Sequence, residues 1–204
     1  MRLKKIIKQL EGKFPLELAE EWDNVGLLLD STRREIKSIM LCLDITRDVV
    51  DKAVANKVDL IISHHPFIFS PLKKITTDEV NGEKILKLAR NNIAVYSMHT
   101  NIDSGIGGLN DFIIKKIGQE GKVFAISNNR SIELRKLVTS DLIDAKDKII
   151  NPLRIQKLKS AITIGELCKI IKEKLCIPNV RVVGDTAKLV KSYAICTGSG
   201  MSSS

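Results

Sequence analysis

Apolar positions recur every three or four residues in LKKIIKQLEGK, residues 3–13, which predicts an amphipathic helix. After the loop FPLELAEEWDN, the short run VGLLLD, 25–30, predicts a strand. From residue 36 the pattern switches repeatedly between continuous apolar runs and helical periodicity: IKSIMLCLDI, RDVVDKAVANK, VDLIISHH, NGEKILKLARNN, IAVYSMH and GLNDFIIKKIG follow one another. Strands alternating with helices at this spacing predict βαβ units in an α/β fold, a mixed, mostly parallel sheet flanked by helices. A first unit, 1–118, is expected to close near Gly118 and a second to occupy 119–204.

The second half reads less clearly. Residues 131–159, SIELRKLVTSDLIDAKDKIINPLRIQKLK, mix periods and carry one Pro and no Gly, so no element is assigned to them. Thr163 and Glu166 then stand at capping-box spacing before IGELCKIIKEKL, which predicts a helix running to about Leu175, with Pro178 just beyond. Two short strands, VRVVGD (180–185) and KLVKSYAIC (188–196), are expected next, and TGSGMSSS reads as a flexible polar tail.

Composition narrows the function more than the fold. A chain of 204 residues can bury a core without a disulfide or structural metal. Its apolar runs are broken by Lys or Asp short of a bilayer span, and the start MRLKKIIKQLEGKF has no signal-peptide apolar stretch, so the expected location is the cytoplasm. Cys42, Cys168, Cys176 and Cys196 are too scattered for a C-x-x-C motif and read as reduced thiols. The net charge of +9 would suit a polyanion, yet an aromatic content of 4% argues against stacking platforms for single strands. A solvated basic surface is the expectation, not nucleic-acid binding.

The three histidines, His64, His65 and His99, each fall at the carboxyl end of a predicted strand. In open parallel sheets, ligands bind beyond those ends, where the loops converge. Asp103 lies four residues past His99 in HTNIDSG, close enough for its carboxylate to fold back toward them. Imidazole and carboxylate together suit Zn, Mn, Fe or Co. Adjacent residues in an extended strand point to opposite faces, so His64 and His65 serve one crevice only if the strand ends at Ser63, an ending that Pro66 favours. Otherwise one of them is a satisfied loop or core residue. Asp44 is a further ligand, an acceptor behind one, or a helix cap, and capping is the commoner use. Asp23 and Asn24 either face the same crevice or make an Asx-turn into the strand, the turn being favoured. GIGGLND is a glycine turn opening a helix and lacks nucleotide-loop spacing.

The segments EEWDNVGLLLD, LDITRDVVDKAVANKVDLIISHHPFIFSPLKKI and YSMHTNIDSGIGGLND resemble the family called GTP cyclohydrolase type 1, subtype 2 homologue, or NIF-three-like. The likeness covers nearly the whole chain. It implies two intertwined repeats, a dinuclear divalent-metal site between them, and homo-oligomers, often hexamers. It implies that His64, His65 and Asp103 are metal ligands and that His99 shares their cleft, as general acid or base. Members of the family continue past G-S-G into segments supplying a further His and Glu, so the sequence is expected to be either a fragment of a longer or split protein or a relative with a truncated second repeat, and to hold fewer than two ions. The function implied is divalent-metal binding, with metal-dependent hydrolysis of a small molecule of unidentified structure. A non-catalytic interaction or scaffold protein with a vestigial metal site is the alternative.

Overall fold

The computed structural model describes residues 1–33, 35–127, 130–133 and 150–198, and the chain forms two compact units, Met1–Ile102 and Asp103–Ser204. In the first, β1 (Gly26–Leu29), β2 (Ile39–Cys42), β3 (Leu60–Ser63) and β4 (Ala94–Ser97) form one sheet in the order β1-β4-β3-β2. β2, β3 and β4 run parallel, and β1 adds antiparallel to β4 at the edge, so the sheet is mixed and mostly parallel. Helices α1 (Leu3–Lys13), α2 (Arg47–Ala55) and α3 (Val80–Arg90) supply its cover.

Each central strand is apolar on both sides because both sides are covered. Leu60, Ala94 and Tyr96 pack with Leu3, Ile6 and Phe14 of the α1 region, while Ile61 and Val95 pack with Val50, Ala53, Ile85 and Leu88 of α2 and α3. Leu60 and Ile61, adjacent in β3, thus serve different cores, and each is wholly buried. Burying side chains of this size is worth roughly 1.5–3 kcal/mol apiece. Gly82, inside α3, has no room for a methyl group, since a Cβ there would run into the backbone of Thr76. The loop of the seventies therefore lies directly on the helix.

A carboxylate closes the bottom of this sheet. Asp59, 6% exposed, accepts the backbone N–H groups of Lys37 (2.7 Å) and Ser38 (3.0 Å) and pairs with Arg33 at 3.2 Å, tying the entry of β2 to that of β3. Burial pushes its carboxyl up, but the two N–H groups and the Arg33 and Lys37 charges outweigh it and hold the pKa below the ordinary 3.8.

In the second unit, β5 (Gly121–Ser127), β6 (Arg130–Glu133), β7 (Ile150–Thr163) and β8 (Leu189–Ile195) form an antiparallel sheet in the order β6-β5-β7-β8. A short helix, α4 (Thr100–Ser104), spans the boundary between the units. α5 (Leu109–Ile117) packs on β7 and on α6 (Ile164–Leu175), and Gly118 ends it in the left-handed conformation at φ 70°. The expected capping box is present: Thr163 Oγ1 accepts the Glu166 N–H at 3.1 Å, and Glu166 accepts the Thr163 N–H at 2.7 Å.

The unassigned stretch contains all but the first residue of β6 and most of β7, with residues 134–149 outside the described set. β7 resists reading because its buried positions, two apart, are Arg154 and Gln156. One expected strand is absent. VRVVGD forms none, and Val183 is 94% exposed. Alternation makes a strand only where a face can be buried, and here the chain turns instead, Asp185 accepting the Ala187 N–H at 2.9 Å. The polar tail is anchored at its start, for Thr197 donates its N–H to Asn110 Oδ1 at 2.9 Å; residues 199–204 lie outside the described set.

Asp59→Ala should destabilise the chain by roughly 1–3 kcal/mol, because two partly buried N–H groups lose their acceptor. A carboxyl whose folded pKa is depressed contributes stability that is whole above its unfolded value and is lost as pH falls through the folded one. The wild type should therefore lose stability below about pH 4 more steeply than the variant. Urea titrations of both across the acid range would show this, and parallel pH profiles would contradict it.

Candidate metal centre

The registers of the parallel strands align Ser63 of β3 with Ser97 of β4, so both chains leave the sheet at one level. A file of hydrogen bonds fixes the segments beyond the strand ends: the Phe67 N–H donates to Ser97 Oγ at 3.4 Å, Ser97 and Ser63 hydroxyls meet at 2.8 Å, and Ser63 Oγ donates to the His65 carbonyl at 2.9 Å. On the other side, His64 and His65 donate their N–H groups to the Cys42 and Leu43 carbonyls at 3.1 and 3.0 Å. Regular pairing in β3 stops at Ser63, as the convergence of His64 and His65 requires.

The backbone of His99 is set independently. Its N–H donates to Asn101 Oδ1 at 3.0 Å, and buried Asn101 donates in turn to the Phe14 carbonyl at 3.1 Å. The outcome is a triangle of imidazoles, with ring centroids 5.1 Å apart for His64 and His65, 5.2 Å for His64 and His99, and 5.6 Å for His65 and His99. One nitrogen of each lies within 4.8 Å of the others.

Each ring is held through Nδ1. His64 Nδ1 meets the Met98 carbonyl at 3.0 Å, His65 Nδ1 meets Asp44 Oδ1 at 2.7 Å, and His99 Nδ1 meets Asp23 Oδ1 at 2.9 Å. A carbonyl can only accept, so His64 carries its proton on Nδ1, and a carboxylate imposes the same choice on the others. The neutral rings then hold their lone pairs on Nε2. Histidines that ligate metals are oriented in this way, by a carbonyl or carboxylate behind the ring. The donor set therefore fits a divalent cation.

Two carboxylates have roles other than those the local sequence favours. Asp44 does not cap α2; the cap is Thr46, whose Oγ1 accepts the Val49 N–H at 3.2 Å, and this leaves Asp44 to His65. Asp23 does accept the next N–H, of Asn24, at 2.8 Å, but its other oxygen takes the Thr100 N–H at 3.1 Å and hydroxyl at 2.5 Å. Burial raises its pKa, while Thr100 and His99 more than compensate and hold it below 3.8. Asp23 and His99 lie 76 residues apart, beyond the reach of local pattern.

Asp103 belongs to the second unit, where it is 7% exposed. Its Oδ1 accepts the Thr197 hydroxyl at 3.3 Å, and its backbone carbonyl accepts Asn110 Nδ2 at 3.1 Å. Buried Arg154 pairs with Asp111 and donates to the Ser104 and Gly105 carbonyls at 2.8 and 3.2 Å, securing the turn after Asp103. Two aromatic residues escaped notice in the sequence. Trp22, 60% exposed, stands edge-on to His99 at 6.1 Å and to Phe69, 54% exposed, at 6.0 Å.

An α/β fold whose mixed sheet presents three anchored imidazoles at its strand ends, a cluster able to hold a metal ion, defines the class. Within it, this chain belongs to the family described as Duf34/NIF3 (NGG1p interacting factor 3), whose model matches residues 1–204. It is 35% identical over 200 residues to a GTP cyclohydrolase 1 type 2 homolog of Clostridium acetobutylicum, covering 98% of this chain and 69% of the relative. It is 32% identical over 212 residues to NIF3-like protein 1 of Drosophila melanogaster, covering 98% of this chain and 64% of that one. A hypothetical protein of Staphylococcus aureus has a similar structure, with TM-score 0.78 and 29% identity over 98% of this chain and 73% of the other. Among the described residues, no helix is long and apolar enough to cross a membrane.

The anchoring of the rings predicts their tautomers. In the metal-free chain above the histidine titration range, two-bond nitrogen–proton correlation spectra should show all three imidazoles protonated on Nδ1. An Nε2–H form at His65 or His99 would break the link to Asp44 or Asp23. Asp23→Asn and Asp44→Asn should each release their own ring and leave the other two unchanged.

Proposed function

We propose that the chain is a divalent-metal-binding protein that holds its ion on His64 and His65, with Asp103 as the carboxylate ligand and His99 as the proton-carrying group beside it. The observation that carries this reading is the convergence of three imidazoles, each oriented through Nδ1 by a carbonyl or carboxylate. Asp103 enters through the likeness of HTNIDSG to the family's ligand motif.

A divalent ion, when bound, lowers the pKa of coordinated water toward neutrality and polarises an oxygen of the substrate, which is the chemistry of hydrolysis. The residues of the chain supply the rest. Asp44 keeps His65 in the ligating tautomer. Asp23 does the same for His99 and stabilises its ring when Nε2 takes up a proton, so His99 can accept a proton and return it to a leaving group. Asp23, itself bound by Thr100, stays ionised throughout. This supports a metal-dependent hydrolase acting on a small molecule.

Elemental analysis and titration calorimetry with Zn and Mn test the proposal. His64→Ala, His65→Ala and Asp103→Ala should each remove most of the bound ion, whereas Asp44→Ala should weaken binding by about 10–100-fold. Affinity should fall as pH drops through the histidine range, because only neutral imidazole ligates. His99→Ala should retain the ion and lose turnover of phosphoesters or nucleotides; loss of the ion would make His99 a ligand. A wild-type chain that binds neither metal would overturn the reading.

A further inference from the structure

We infer that the cleft lined by His65, Phe69 and Lys84 binds a small molecule that joins a planar aromatic ring to an anionic group, the ring resting against Phe69, which Trp22 flanks, and the anion meeting Lys84. The chemistry at its mouth rests on the metal reading above; the binding does not. The cleft has a volume of about 690 Å³, in the range that takes a ligand of drug or nucleotide size, and lies wholly within the first unit.

Its lining combines two chemistries. His65, Asp44 and Phe69 belong to it, and so does Lys84. Phe69 meets Trp22, and Trp22 meets His99, each in a T-shaped contact near 6 Å, so the two exposed rings border the imidazoles. In a chain with 4% aromatic residues, two large exposed rings beside the candidate metal centre are a concentrated apolar surface with no cover of its own. A flat ring stacks on such faces whatever its substituents.

Lys84 is half-buried in the same lining. Its Nζ donates to the Ile45 carbonyl at 2.8 Å and lies 5.4 Å from the centre of the Phe67 ring. Arg47 beside it is engaged by Glu83 at 2.8 Å, but Lys84 has no ion pair among the described residues. Burial, then the Arg47 charge, hold its pKa below the usual lysine value, while Asp44 pulls the other way. A partly desolvated ammonium with donors to spare is relieved by an anion, and Asp44 is already engaged by His65. The cleft is concave and offers one such cation, which suits a small ligand better than a protein surface.

Trp22 is the only tryptophan, so its fluorescence reports on the wall directly. The probes are adenosine 5′-monophosphate, adenosine and ribose 5-phosphate, titrated into both metal-loaded and chelator-stripped protein. The monophosphate should quench saturably, with adenosine and ribose 5-phosphate each about tenfold weaker, a difference of ~1.4 kcal/mol. Lys84→Met should reduce the monophosphate to the affinity of adenosine and leave adenosine unchanged. Phe69→Leu should weaken both ring-bearing probes several-fold, with circular dichroism confirming that the variants fold. Absence of saturable quenching at millimolar probe, or a Lys84→Met variant that still prefers the monophosphate, would overturn the inference. Phosphate preference that vanishes with the metal would do so too, by placing the anion on the ion. The stripped protein gives its answer even if the chain binds no metal.

Discussion

Parallel pairing of β3 with β4 places Ser63 opposite Ser97, and the consequences of that register run through the whole first unit. Two parallel strands in register end at one level, so the residues just beyond them emerge along the same edge. The paired hydroxyls then convert a common level into a common geometry, because one binds the His65 carbonyl and the other the Phe67 N–H. Shift the register by one residue and every side chain on β3 changes face. Leu60 and Ile61 would exchange cores, and His64 would move away from the Met98 carbonyl. The packing that stabilises the sheet and the placement of the imidazoles are thus one constraint, since the alternation that buries Leu60, Ile61, Ala94 and Val95 also sets where the histidines leave it.

That coupling explains why the first unit could be read from sequence. Its strands are covered on both faces, so they appear as uninterrupted apolar runs, and each intervening helix shows one apolar stripe. The histidines were legible for the same reason: they terminate runs whose type was clear. What was not legible is the support behind them. Asp23 reaches His99 across 76 residues and Asp44 reaches His65 across 21, and each sits where a local turn or cap offers a sufficient explanation. The cap went to Thr46, two residues along, and only the folded chain shows it.

Three imidazoles packed at ring distances near 5 Å make a polar cluster at the end of an apolar sheet, and such a cluster needs each ring to have one defined role for each nitrogen. The three anchors differ in kind. Met98 offers a neutral carbonyl and Asp44 an exposed carboxylate. Asp23 is a carboxylate whose side chain is fully buried and already bound by Thr100. A charge held out of water and fixed by other donors cannot follow its partner, so it orients the ring of His99 more firmly than a mobile surface carboxylate would. This asymmetry in orientation is the ground on which the proposed proton-carrying role falls to His99 rather than to His64.

The second unit uses buried charge differently, and that use is what hid it from sequence. β7 places Arg154 and Gln156 at positions that in an ordinary half-buried strand would be apolar, so its alternation is inverted and no strand is readable. A buried guanidinium is costly to desolvate and gives little net stability even when every donor is satisfied. Its value lies in direction. Arg154 spends its donors on Asp111 and on the Ser104 and Gly105 carbonyls, while Asn110 holds the Asp103 carbonyl, so the turn after Asp103 is fixed from both ends. Asp111 also accepts the Gly107 N–H at 2.6 Å, which binds the glycine turn to the start of α5. An apolar residue in place of Arg154 would fill the space without choosing a conformation for that turn. Retaining the charge therefore selects the conformation of the turn that follows Asp103.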